Sequence, residues 1–289
     1  MFSTRSSRTI AAIVGCVLVA ACAQPPAPPI PAREAAAIAA NRRAETYFRR
    51  GDFENAAQYY REALRIAQSI EDADGIAANA INLSIAYQRL AQPAAARASL
   101  AQVLDQSKLS FAPARLAQAA LRRAVLDLDE RRHADAAAWI DNAASYCGEQ
   151  GCALASAINN VKGQLALEAG NSAAAAASAQ AALATSRAAG DRAETANALR
   201  LLGNAAIGAA DAGAALAPLR EALAIDRELA LPRKIYLDLI SLGRASALAG
   251  ERGAARAYYE RALAVSEADH DAPGAAAARA LLGALGDKP

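Results

Sequence analysis

Few residues in this 289-residue chain have the type and spacing that chemistry requires. Cys147 and Cys152 bracket Gly148-Glu149-Gln150-Gly151, a turn bounded by glycines. In an exported chain such a pair reads as a local disulfide, which stabilises by roughly 2 kcal/mol for so short a loop. A pair of free thiols is the alternative reading. A metal site needs two further ligands, and the only histidines, His133 and His270, lie far apart. A redox pair favours Cys-x-x-Cys instead of this spacing. Asp127 and Asp129 are paired carboxylates that read as surface charge on a solvated or groove-facing helix. His133 follows Arg131-Arg132 and reads as solvated. Trp139, the only tryptophan, sits beside Ile140 and reads as core packing, with an exposed aromatic contact as the alternative. No Gly-x-Ser-x-Gly, phosphate-binding glycine loop or His-Glu-x-x-His occurs. No catalytic residue, cofactor or metal is expected, and the chain reads as a non-enzyme.

The chain's first residues read as an address. Arg5 and Arg8 precede a small-and-apolar run from Thr9 to Ala21, and Val19-Ala20-Ala21 leads directly into Cys22. The run is too short to span a bilayer comfortably. This resembles a bacterial lipoprotein signal with its lipobox. The resemblance implies cleavage before Cys22, which loses Cys16 with the signal, and lipid on Cys22. Ala23 stands where retention in the inner membrane would place Asp, so the outer membrane is implied, with the protein on its periplasmic face. Residues 1–21 are then the signal and 22–33 a lipidated, proline-rich tether of roughly 3 Å per residue. Residues 34–286 form the folded body. Removing the signal takes Arg5 and Arg8 from 31 basic groups set against 29 acidic ones, so the mature chain is close to neutral. A nucleic-acid binder would show a basic excess, and none is expected here as a partner.

The body must position whatever binds. It is 54% hydrophobic but only 4% aromatic, and alanine supplies much of the apolar total. Alanine forms helices well and buries little area, which predicts an all-α chain with a thin core. Runs of Val, Ile and Thr are absent, so no strand is expected. In Gly51-Asp52-Phe53-Glu54-Asn55-Ala56-Ala57-Gln58-Tyr59-Tyr60-Arg61-Glu62-Ala63-Leu64 a Gly-Asp turn stops one helix and a small–aromatic–small ladder starts the next. Equivalent alanines recur at Ala56, Ala96, Ala136, Ala175, Ala215 and Ala255, and Lys162-Gly163, Leu202-Gly203 and Leu242-Gly243 mark the preceding helices. With Tyr47 and Tyr87 upstream, the pattern resembles the tetratricopeptide repeat family. Its period near 40 is longer than the usual 34, as in kinesin light chains and bacterial peptide-sensing regulators.

The resemblance implies a right-handed α-solenoid of about six helix–turn–helix repeats, closed by a C-terminal capping helix after Pro273. It also implies a concave groove lined by the first helix of each repeat. Carried over by register, the groove residues are Asn41, Glu45 and Arg49, then Asn82 and Arg89, then Arg122 and Asp129. Asn160, Gln164 and Glu168 follow, then Asn197, Arg200 and Asn204, then Ser241 and Arg244. Asn pairs with a peptide backbone and Arg presents a fork to a carboxylate. The longer-period relatives hold peptides with an asparagine ladder. Here only Asn82 stands at that position; the other repeats have Arg42, Arg122, Val161, Leu201 and Ser241. The expected role is a lipid-anchored periplasmic adaptor or scaffold that takes a protein or peptide in its groove. The alternatives are a structural subunit of an envelope machine and, without the signal, a cytoplasmic peptide-sensing regulator.

Overall fold

Six positions in the chain place an Asp or Asn where a helix begins, and each works as a cap. Asp52, Asp72, Asn171, Asp191, Asp211 and Asp271 accept from the backbone amide three residues on, at 2.9–3.2 Å. At three helix starts without such a cap, Pro93, Pro113 and Pro232 open the helix, because proline's missing amide costs nothing in the first turn. The computed structural model describes residues 30–105, 109–148 and 152–286, so the signal, Cys22 and the tether as far as residue 29 lie outside the described residues.

Thirteen helices form among the described residues. They pair as α1 (Ala32–Arg49) with α2 (Phe53–Gln68), α3 (Ala73–Arg89) with α4 (Pro93–Leu104), and α5 (Pro113–Asp129) with α6 (His133–Cys147). Next come α7 (Ala155–Glu168) with α8 (Ser172–Ala189), α9 (Arg192–Gly208) with α10 (Ala212–Glu228), and α11 (Pro232–Leu248) with α12 (Arg252–Ala268). The unpaired α13 (Ala272–Ala284) closes the array. Each helix packs on the next, and α3, α5, α7, α9 and α11 also touch in succession. The fold is an α-solenoid, and all of its helices belong to one unit beginning at Ala32. α1 therefore starts two residues inside the segment expected to be tether. Among the described residues no helix is long and apolar enough to cross a membrane.

The turns inside the pairs need one residue in the left-handed region. Gly51, Gly170 and Gly250 supply it without strain, while Ala91, Arg131 and Ala210 adopt it at φ 54–59°. Alanine at the pairing face lets helices approach closely: Ala56, Ala96, Ala136, Ala175, Ala215 and Ala255 are all 0% exposed. The glycines of the preceding helices receive larger side chains. A Cβ on Gly203 would stand 2.4 Å from Leu219 Cγ, and one on Gly243 would stand 2.2 Å from Tyr259 Cε1.

Cys147 and Cys152 are joined by a disulfide with Cα atoms 5.1 Å apart, across the junction between α6 and α7. Trp139 is half-buried in the core beneath Arg123, whose guanidinium lies 5.4 Å from the ring centre. Asp127 corrects a sequence expectation. It is fully buried, not surface charge, and Arg123 and Arg132 hold its carboxylate, Arg123 at 3.0 Å. It occupies the register of Tyr47 and Tyr87, so an ion pair replaces a tyrosine at that junction. His133 is also partnered, with Nε2 3.0 Å from Glu168 Oε2.

Candidate functional site: the concave groove

The first helices of five repeats enclose an open cavity of about 1150 Å³. α1 contributes nothing to it. Asn41 instead donates to Asn79 at 2.7 Å, tying α1 to α3. The expected residues Asn82, Arg122, Asn160, Gln164, Asn197, Arg200, Asn204 and Arg244 all line the cavity. Arg89 does not: its guanidinium lies 4.4 Å from the centre of the Phe53 ring, a cation–π contact outside the cavity. Between the polar side chains the wall is apolar, with Ile81, Leu121, Val125, Val161, Leu201 and Ile240 among its residues.

The polar residues divide into those already partnered and those free. Arg122 donates to the Ser84 hydroxyl at 3.0 Å, to the Ser84 carbonyl at 3.2 Å and to Gln88. All three acceptors are neutral, and burial lowers the Arg122 pKa to about 10. Gln88 passes its amide to Asp129, whose pKa is raised because the groove walls thin the water around it. Asn160 donates to the Glu194 carboxylate at 2.7 Å and to the Glu194 carbonyl at 3.2 Å. Gln164 donates to Glu168 at 3.0 Å. Asn197 accepts from Arg200 at 3.0 Å and from Lys234 at 2.9 Å.

Arg200 does not fit the role expected for it. It lines the cavity, but it is 7% exposed and bound to Asp226 and Asp238. Its donors are consumed by the wall, so it holds the groove together and presents no fork to a partner. Arg244 is exposed and has no hydrogen bond or ion pair among the described residues, and Asn82 and Asn204 likewise bond to no described group. Three polar side chains with no partner among the described residues therefore face one partly apolar cavity. Among the described residues no three His, Cys, Asp or Glu side chains converge as a metal site would require.

Register reasoning missed Lys234, which also lines the cavity. A signal existed: Lys234 follows Glu194 by one repeat, so the groove positions extend one turn closer to the helix starts than the family pattern suggested. Asp226 carried a signal too, since Ser186 and Ser266 occupy its register in the neighbouring repeats and all three are buried.

Residues 35–108 match the tetratricopeptide repeat family. The match spans α1 to α4, and the remaining pairs continue the same tetratricopeptide-like architecture. No curated protein matches the sequence. Among solved structures, a Rap protein complexed with competence and sporulation factor is 14% identical, with a TM-score of 0.62, covering 87% of this chain and 71% of that one. BtubC from P. vanneervenii is 21% identical, with a TM-score of 0.55 over 83% of this chain and 92% of that one. A tetratricopeptide repeat protein from Parabacteroides merdae is 13% identical, with a TM-score of 0.50 over 87% of this chain and 94% of that one. Likeness at these identities is a likeness of fold. Tetratricopeptide solenoids are protein-interaction scaffolds that bind through their concave surface.

Proposed function

We propose that this protein is a lipid-anchored adaptor of the cell envelope that holds a protein or peptide segment in its concave groove. The observation that carries the reading is the cavity itself. Its apolar wall suits side chains, and the free amides of Asn82 and Asn204 suit a peptide backbone, which offers a donor and an acceptor at every residue. Arg244 supplies a charged donor for a carboxylate. The complex of the Rap protein with its factor supports such use of this fold.

Contacts of this kind are worth about 1.5–3 kcal/mol where one partner is charged and buried, so losing one weakens binding about tenfold or more. In pull-down of a partner first captured by crosslinking in intact cells, Arg244→Ala is expected to reduce binding accordingly and Asn204→Ala, which loses only neutral hydrogen bonds, by less, with helical content and melting temperature unchanged. Arg61→Ala, on the exposed face of α2, is the control. Retention of full binding by both groove variants would overturn the reading.

The address rests on Val19-Ala20-Ala21-Cys22 and the proline-rich segment after it. Cys22→Ser is expected to move the protein from the membrane fraction to the soluble fraction. A Cys22→Ser chain that stays wholly with the membrane would remove the lipid anchor from the proposal and leave the groove untouched.

A further inference from the structure

Between α9, α10 and α11 the groove wall buries a cluster of charges. Arg200 sends Nε to Asp238 Oδ1 at 2.6 Å and a second nitrogen to Asp226. Asp226 and Asp238 are 1% and 0% exposed, so one guanidinium serves two carboxylates in a dry site. Asp238 Oδ2 is buried and accepts from no donor. One guanidinium neutralises only one of the two buried carboxylates it holds, and a proton on the pair relieves the charge left over. Burial raises the Asp238 pKa from 3.8 to about 7 despite the neighbouring guanidinium.

On the cavity side of the same wall, Lys234 Nζ donates to Asn197 Oδ1 at 2.9 Å, the oxygen that also takes Arg200 at 3.0 Å. Lys234 and Asp238 stand four residues apart on α11, the spacing that places two side chains one turn apart on one face. The charges acting on this cluster are Arg200 and Glu194 from α9, Asp226 from α10, and Lys234 and Asp238 from α11. Burial, and then the Arg200 charge, hold the Lys234 ammonium below its usual range.

We infer that this cluster is a proton-operated latch in the groove wall. With one proton shared between Asp226 and Asp238, Lys234 stays on Asn197 and lends its charge to the cavity. When that proton leaves to solvent, the ammonium turns one helical turn along α11 to the bare Asp238 Oδ2, and the groove loses a cation. A negatively charged segment is then held more tightly at lower pH, and by reciprocity its binding draws a proton into the wall. This consequence rests on the groove being the binding surface; the latch itself does not.

The unfolded chain releases the Asp238 proton near 3.8, whereas the folded chain keeps it to about 7. Stability from this group is complete below the lower value, falls as pH rises between the two, and is level above the higher one. Thermal unfolding of the full chain, with no partner present, tests the latch from about pH 5 to about pH 8. The wild-type melting temperature is expected to fall by several degrees more over this window than that of Asp238→Asn. His133 and His270 are common to both chains and cancel in the comparison. Lys234→Met is expected to lower the melting temperature more at the alkaline end than at the acid end, because only there does the ammonium serve Asp238. Parallel profiles for wild type and Asp238→Asn would overturn the shared proton, and an equal shift at both ends for Lys234→Met would overturn the moving lysine. Carbon-13 carboxyl titration of the wild type guards against a misfolded variant: one carboxyl titrating near neutrality is expected, and none would overturn the proposal. Failure here leaves the adaptor reading intact, because no partner enters the measurement.

Discussion

Arg200→Ala is expected to destabilise the protein by about 3–5 kcal/mol, the cost of stripping one partner from a buried ion cluster. The loss is large because the residues left behind cannot reach water. Asp226 and Asp238 are 1% and 0% exposed, and without the guanidinium two buried acceptors face each other. The cost should be smallest at acid pH, where a shared proton already bonds the pair. Adding Asp226→Asn and Asp238→Asn should recover much of it, since amides carry no charge to repel. An exposed ion pair sets the scale for comparison. Arg187 and Glu221 lie 2.7 Å apart at 53% and 49% side-chain exposure, so Arg187→Ala should cost under about 1 kcal/mol. Urea unfolding of the three chains decides. An Arg200→Ala cost as small as that of Arg187→Ala would mean that the cluster is solvated and holds nothing together.

The second large effect concerns the fit of Tyr259 against Gly243. Tyr259 is 3% exposed, and truncation to alanine should cost about 3–5 kcal/mol through lost burial and an unfilled cavity. Gly243→Ala attacks the same contact from the other side. Its new Cβ would stand 2.2 Å from Cε1 and 2.5 Å from Cδ1 of the ring, so α11 and α12 must separate, at about 1–3 kcal/mol. Gly253→Ala is the control, because nothing lies within 4 Å of a Cβ there. It should be neutral or slightly stabilising, since alanine is the better helix former. In the Tyr259→Ala chain, Gly243→Ala should cost little, because the ring it would strike is gone. Additive losses in the double variant would show that the two residues do not share a contact. Hydrogen exchange should confine the damage to the stretch from α9 to α13, as each pair of a solenoid leans only on its neighbours.

The helical pairs were legible because their signals are local. A cap needs only its own side chain and an amide three residues on, as Asp52, Asp72 and Asp191 show. The pairing alanines recur in every unit and the glycines of the preceding helices in three of them, Gly163, Gly203 and Gly243, so these steric requirements survive as a pattern in one sequence. The groove residues followed from the same register, and eleven of the fifteen line the cavity, the exceptions being Arg89 and the α1 residues Asn41, Glu45 and Arg49. What register could not supply was partnership. Arg200, Asn204 and Arg244 read alike as polar groove residues, yet Arg200 is bound within the wall while Asn204 and Arg244 have no partner among the described residues. The difference is made by Asp226 and Asp238, which lie 26 and 38 residues away and meet Arg200 only when three helices stack. Asp127 was misread for the same reason, because its burial depends on Arg132 across a turn and on the helices that exclude water around it. The sequence by itself determined the helices, their pairing and the face that lines the groove, all of which follow from spacing along one chain. Only the tertiary structure decided which charges are consumed, which remain for a partner and where a proton is held, because desolvation is a property of the surroundings and not of the residue.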